Sequence, residues 1–146
     1  MSKLEDAIVL ATKCHEGQVD KIGEPYILHP LRVMMVMNDE ESRIVAILHD
    51  ILEDTKCSSE VLKITFGKKI YEAVIAMSKI NGESYEVYIN RVMQNPIAKK
   101  VKIADVKDNA SPIRLYRLEP KTIERLTAKY SKTLKILEGW ENENSN

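Results

Sequence analysis

Ala46-Ile47-Leu48-His49-Asp50-Ile51-Leu52-Glu53-Asp54 sets one imidazole and three carboxylates into an otherwise apolar run. On a helix, side chains three and four positions apart share a face. The pattern therefore predicts His49 beside Glu53, and Asp50 beside both Glu53 and Asp54. Burying these groups against Ile47, Leu48, Ile51 and Leu52 costs roughly several kcal/mol for each unpaired charge. A divalent cation is the usual compensation.

Working outward, the same helical period recurs along the chain, punctuated by only five glycines and five prolines. The central helix is expected over 40–52. Leu4, Ala7, Ile8 and Ala11 stripe a first helix ending near His15-Glu16-Gly17, followed by a loop over 18–28 with Gly23 and Pro25. A short helix begins near His29-Pro30, since proline suits a first turn, and runs through Leu31, Met34 and Met35. Ser58 or Ser59 caps the next helix, Gly67 ends it, and another follows from Lys68 to about Ser78. After the Asn81-Gly82 turn, Tyr85, Tyr88, Ile89 and Val92 recur at helical spacing. Asn95-Pro96 restarts the chain. Ile97, Val101 and Ala104 form the next inner stripe, which directs Asp105 inward, and Asp108 and Asn109 close that helix. The last helix spans about 120–138 and stops at Gly139. These elements predict an all-α fold, a helical bundle of about seven to eight helices in a single domain over 1–140, with a polar tail over 141–146.

The 146 residues suffice for one core. Lys plus Arg number 22 and Asp plus Glu number 22, so no basic field argues for nucleic acid or a membrane surface, and an anionic substrate must be held locally. No apolar run approaches a membrane span and no apolar signal segment follows Met1, which makes the cytoplasm the expected compartment. Cys14 and Cys57 have no metal-type spacing and read as reduced thiols. A monomer and a small homo-oligomer fit the sequence equally.

His15, His29 and Asp105 are the candidate ligands outside the central stretch. His29, His49, Asp50 and Asp105 make the more coherent set, and His15 reads as a helix-end residue. Two imidazoles with two carboxylates suit manganese, iron, zinc or magnesium, and a six-coordinate ion so held keeps positions for water or substrate. That is a site for activating water and polarising a phosphoryl oxygen.

Three blocks carry a resemblance. Gly17-Gln18 with Gly23-Glu24-Pro25-Tyr26-Ile27-Leu28-His29-Pro30, then His49-Asp50-x-x-Glu53-Asp54-Thr55, then Lys102-Ile103-Ala104-Asp105 with Asn109, resemble the HD hydrolase domain of RelA/SpoT-type alarmone enzymes, in the family's order. The length resembles the stand-alone small alarmone hydrolases. The resemblance implies that His29, His49, Asp50 and Asp105 bind one Mn2+ and that Glu53 and Asp54 handle the attacking water. The implied reaction is metal-dependent removal of the 3′-pyrophosphate from guanosine tetra- or pentaphosphate, ppGpp or pppGpp. It further implies a phosphate contact from Lys21 and a nucleoside contact from Asn109. The chain departs from the family at Asp20, where an arginine often packs on the base, and at Val106, where a basic residue is frequent. These departures leave the metal chemistry in place and the base open.

Other readings coexist. Tyr26 reads as loop packing, Tyr85 and Tyr88 as core, Met34, Met35 and Met37 as core filling, and Lys68-Lys69 and Lys99-Lys100 as solvated pairs. Another HD-type nucleotide phosphohydrolase would use the same His49, Asp50 and Asp105. A nucleotide-sensing module without turnover would have no chemical need for both Glu53 and Asp54.

Overall fold

Ten helical segments form among the described residues: α1 (Lys3–Cys14), α2 (Leu28–Met35), α3 (Glu40–Leu48), α4 (Ile51–Asp54), α5 (Ser59–Phe66), α6 (Lys68–Ala76), α7 (Tyr85–Gln94), α8 (Pro96–Asn109), α9 (Pro112–Leu115) and α10 (Pro120–Asn144). The computed structural model describes the backbone of residues 2–144 and the side chains of residues 2–139. Two segments are single turns of four residues, and the other eight form the all-α bundle that the sequence predicts. Among the described residues the extended pairing is one isolated bridge between Val19 and Pro25 in the loop before α2.

Side-chain oxygens meet the orphan N–H groups where helices begin. Ser2 forms a capping box with Glu5, and Asp39, Ser58, Ser84 and Asn95 cap α3, α5, α7 and α8. Asp39 also receives Lys100 Nζ of α8 at 2.7 Å, while its other oxygen accepts the Ser42 N–H at 2.8 Å. Lys100 and then this amide hold its carboxyl at about 2, below its ordinary range. The folded state therefore gains from Asp39 above the ordinary carboxylate pKa and loses that gain as pH falls toward 2. Asp39→Ala is expected to cost about 1 kcal/mol in urea denaturation at neutral pH. The difference from wild type should shrink on acidification.

The apolar end of α3 is the centre of the core, with Val45, Ala46, Ile47 and Leu48 fully buried. Helices α1, α2, α6 and α8 pack around it, and α8 also meets α7 and α10. Each large apolar side chain so buried contributes about 1.5–3 kcal/mol. Because α2 and α8 both lie on α3, residues 29, 49 and 105 converge.

Several expectations are corrected. The central helix does not run unbroken over 40–52. The His49 ring Nδ1 bonds to Ala46 O at 2.6 Å and its backbone N–H also points to that oxygen, so the ladder tightens and breaks at His49-Asp50 before α4. The last helix continues through Gly139 to Asn144, since one interior glycine costs only about 1 kcal/mol. Residues 145 and 146 of the expected tail lie outside the described residues. Met35 is 72% exposed, because the inward stripe of α2 is His29, Pro30, Val33 and Met34. Lys99 is buried, because α8 is packed on several sides. Cys14 and Cys57 are not free thiols: they form a disulfide with Cα atoms 6.4 Å apart, joining the end of α1 to the segment after α4. Their 43-residue separation hid this approach.

Candidate metal centre

His29 enters from the first turn of α2, His49 and Asp50 from the break between α3 and α4, and Asp105 from the inner face of α8. His29, His49 and Asp105 are buried, and each offers an atom within 4.8 Å of the other two. His29 Nε2 lies 2.8 Å and His49 Nε2 3.4 Å from Asp105 Oδ1. Asp50 Oδ2 completes the group, 3.0 Å from His49 Nε2 and 3.8 Å from His29 Nε2. Three of the four residues expected as ligands therefore form one group, and the fourth, Asp50, lies against its two imidazoles.

The outer hydrogen bonds of the two imidazoles assign their tautomers. His49 Nδ1 faces Ala46 O at 2.6 Å and His29 Nδ1 faces Asp108 Oδ2 at 2.7 Å, so in each neutral ring Nδ1 carries the proton. Both Nε2 lone pairs then lie on the side of the carboxylates, His29 Nε2 aligned on Asp105 Oδ1. His49 Nε2 is buried with no hydrogen-bond partner, despite its nearness to Asp50. Converging lone pairs with this geometry are stable around a cation, and two neutral imidazoles with two carboxylates balance a divalent charge.

The electrostatics agree. Burial opposes a charged imidazole at both positions, but Asp105 and Asp108 raise His29, and Asp50 and Asp105 raise His49 well above the usual histidine value. Burial likewise opposes the Asp105 carboxylate, yet Lys102 and the imidazoles hold it well below its ordinary value. Asp50 is lowered against burial, chiefly by His49. The centre favours positive charge, which a divalent ion supplies.

A second ring of groups orients these four. Lys102 Nζ contacts Asp105 Oδ2 at 2.9 Å, and Asn109 Nδ2 donates to Asp105 Oδ1 at 3.2 Å. Arg32 Nε donates to Asp108 Oδ1 at 2.8 Å, behind His29. The Tyr26 hydroxyl donates to Asp50 Oδ2 at 2.5 Å and lies 3.2 Å from Asp54 Oδ2. Sequence reasoning passed over Lys102 and Asp108 as site residues, although their spacing from Asp105, three residues on either side, put them on its helical face. Tyr26 reaches the centre instead of only packing its loop, a position no local period could reveal. His15 caps α1 and stays outside the ligand group: its Nδ1 meets Gln18 Oε1 at 2.8 Å and its ring packs on Tyr26.

Glu53 and Asp54 sit at the exposed rim in α4. The break in the helix alters their expected neighbours. Asp54 stays beside Asp50 through the Tyr26 hydroxyl, whereas a Glu53 oxygen accepts the Lys79 N–H instead of facing His49. Burial by surrounding protein atoms, then the nearby carboxylates, raises both carboxyls.

Next to the centre lies a cavity of about 280 Å³. Tyr26 and Asn109, which touch Asp50 and Asp105, also form its wall, together with Asp20, Lys21, Arg114 and Tyr130. Lys21 and Asn109, the two expected substrate contacts, thus line one space. A larger apolar groove of about 840 Å³ runs along the outer side of α2 and α8 past Leu31, Val36 and Ile103.

Comparison with known proteins follows the same lines. The chain is 33% identical over 129 residues to a guanosine-3′,5′-bis(diphosphate) 3′-pyrophosphohydrolase of Aquifex aeolicus, covering 80% of this chain and 18% of that protein. It is 31% identical over 124 residues to the bifunctional (p)ppGpp synthase/hydrolase SpoT of Escherichia coli, covering 75% of this chain and again 18% of the relative. The chain thus spans about a fifth of the length of these relatives. Its fold matches the solved structure of a metazoan ortholog of SpoT that hydrolyzes ppGpp, with a TM-score of 0.79 at 22% identity, over 95% of this chain and 87% of that one. Residues 7–108 match the HD domain, a span that holds His29, His49, Asp50 and Asp105. The chain belongs to the HD-domain family.

Proposed function

We propose that this protein is a metal-dependent phosphohydrolase that removes the 3′-pyrophosphate from guanosine tetra- or pentaphosphate or a closely related nucleotide. The observation that carries this reading is the buried group of His29, His49 and Asp105, with the half-buried Asp50 against its imidazoles, beside a cavity that Lys21 and Asn109 line. These four residues would hold one divalent ion, manganese being well suited to a mixed imidazole and carboxylate set. When bound, the ion supplies Lewis acidity toward water and a phosphoryl oxygen. Hydrolysis joins the water oxygen to the phosphorus on the 3′ oxygen and breaks the bond between them. The nucleoside 3′ oxygen regains a proton and pyrophosphate leaves. Asp54, tied by Tyr26 to Asp50, would orient the water, and Glu53, its neighbour in α4, would accept or pass the proton through the carboxylate oxygen that the Lys79 N–H leaves free. Lys21 offers an ammonium to phosphate and Asn109 an amide to the nucleoside. The substrate would be a small cytoplasmic nucleotide. Among the described residues, no helix is long and apolar enough to cross a membrane.

The test is pyrophosphate release from a panel of 3′-pyrophosphorylated guanosine and adenosine nucleotides with added Mn2+. Turnover of a guanosine member, and weaker turnover of its adenosine analogue, is the expected result. Silence across the panel would refute the alarmone substrate. It would turn attention to other nucleotide phosphoesters, a reading favoured by Asp20, whose carboxylate occupies the cavity wall where the alarmone enzymes often carry an arginine.

A further inference from the structure

Arg114 belongs to α9, a turn absent from the sequence reading, and its side chain is 16% exposed. Its Nη1 donates to Asp108 Oδ2 at 2.8 Å and to Asn109 Oδ1 at 2.9 Å, while Nη2 reaches Asp20 Oδ2 at 3.3 Å. The 3.3 Å approach of Nη1 to His29 Nδ1 is proximity, since both nitrogens carry protons. Each partner leads somewhere. Asp108 accepts from His29 Nδ1, and the Asn109 amide, with its oxygen turned to Arg114, turns its nitrogen to Asp105. Asp20 Oδ1 accepts the N–H groups of Ile22 and Glu24 at 3.0 Å and so shapes the loop that carries Lys21.

We propose that Arg114 is a positioning residue that ties the Lys21 loop to the metal centre. One guanidinium fixes the outer partners of two ligands, His29 and Asp105, and anchors the cavity wall through Asp20. Its rigid fork suits this task, because the carboxylates of Asp20 and Asp108 lie on different nitrogens and a single ammonium serves one of them at a time. Without it, the side chain of Asp20, 5% exposed, would stand in the cavity wall without its cationic partner, where an anionic substrate must enter. The substrate part of this inference rests on the proposed hydrolase reading. The metal and loop parts do not.

The experiment compares the full chain with Arg114→Gln, Arg114→Lys and Asp20→Asn. Its readouts are Mn2+ affinity by calorimetry, amide hydrogen exchange of residues 18–25 without metal, and steady-state hydrolysis of guanosine tetraphosphate at saturating Mn2+. Arg114→Gln should weaken Mn2+ binding about tenfold, the scale of an outer-partner loss. It should also speed exchange of the 18–25 loop about tenfold or more. KM should rise about tenfold while kcat stays within about threefold, as for lost substrate binding. Arg114→Lys should fall between wild type and Arg114→Gln, and it carries the test if the glutamine variant does not fold. Asp20→Asn should loosen the loop with Mn2+ affinity unchanged. Wild-type Mn2+ affinity and loop exchange in both folded Arg114 variants would overturn the proposal. If wild type turns over no alarmone, the substrate reading fails, and the affinity and exchange measurements alone decide the role of Arg114.

Discussion

Asp105→Ala is expected to lose Mn2+ binding in calorimetry and to reduce kcat/KM for pyrophosphate release by about 10³-fold or more. The figure follows from the several kcal/mol that a Lewis-acidic ion supplies to a phosphoryl transition state, each 1.36 kcal/mol being tenfold in rate. Asp105 is the carboxylate shared by the site: its Oδ1 lies 2.8 Å and 3.4 Å from the two imidazole Nε2 atoms. Truncation also strands the Lys102 ammonium, which contacts Asp105 Oδ2 at 2.9 Å and is itself largely enclosed. A buried unpaired charge destabilises the fold, so Asp105→Asn, which keeps the volume and a hydrogen-bonding oxygen, belongs beside the alanine variant. Helical circular dichroism of both variants separates loss of the centre from loss of the fold. A folded Asp105→Ala protein that binds Mn2+ and hydrolyses substrate as wild type does would refute the metal centre.

Glu53→Gln and Asp54→Asn should behave differently. Neither residue belongs to the ligand group, so both variants should bind Mn2+ with near wild-type affinity while kcat falls by about 10²–10⁴, the range for a lost general acid or base. Asp54→Asn should have the larger effect. Tyr26 joins Asp54 to Asp50 beside the two imidazoles, whereas a Glu53 oxygen is engaged by the Lys79 N–H. Calorimetry with single-turnover hydrolysis measures both quantities on the same samples. Wild-type kcat in both variants would remove these carboxylates from the chemistry. Retained Mn2+ binding with lost turnover would exclude the metal-retaining sensor without catalysis.

The candidate site was legible in the sequence to the extent that its residues lie close along the chain or sit on a periodic helix. His49 and Asp50 stand out because charged groups interrupt an apolar run, and Asp105 because Val101 and Ala104 set the inward phase of α8. Lys102 and Asp108 were within reach of the same argument, three residues on either side of Asp105. Tyr26 and Arg114 were not. Tyr26 sits in an aperiodic loop, and Arg114 lies within a proline-started turn whose direction depends on what it packs against.

The amino-acid sequence by itself determined the all-α class, most helix boundaries and the His29, His49 and Asp105 group able to hold an ion. Apolar period, capping oxygens and the charges that interrupt a buried run are local properties of the chain. Tertiary structure alone decided the break at His49-Asp50, the Cys14–Cys57 disulfide and the network in which Asp20, Asp108 and Asn109 share one guanidinium. Arg114 and Asp20 are 94 positions apart. Contacts over such separations depend on how α2, α3 and α8 pack in three dimensions, and no period or spacing within one segment encodes them.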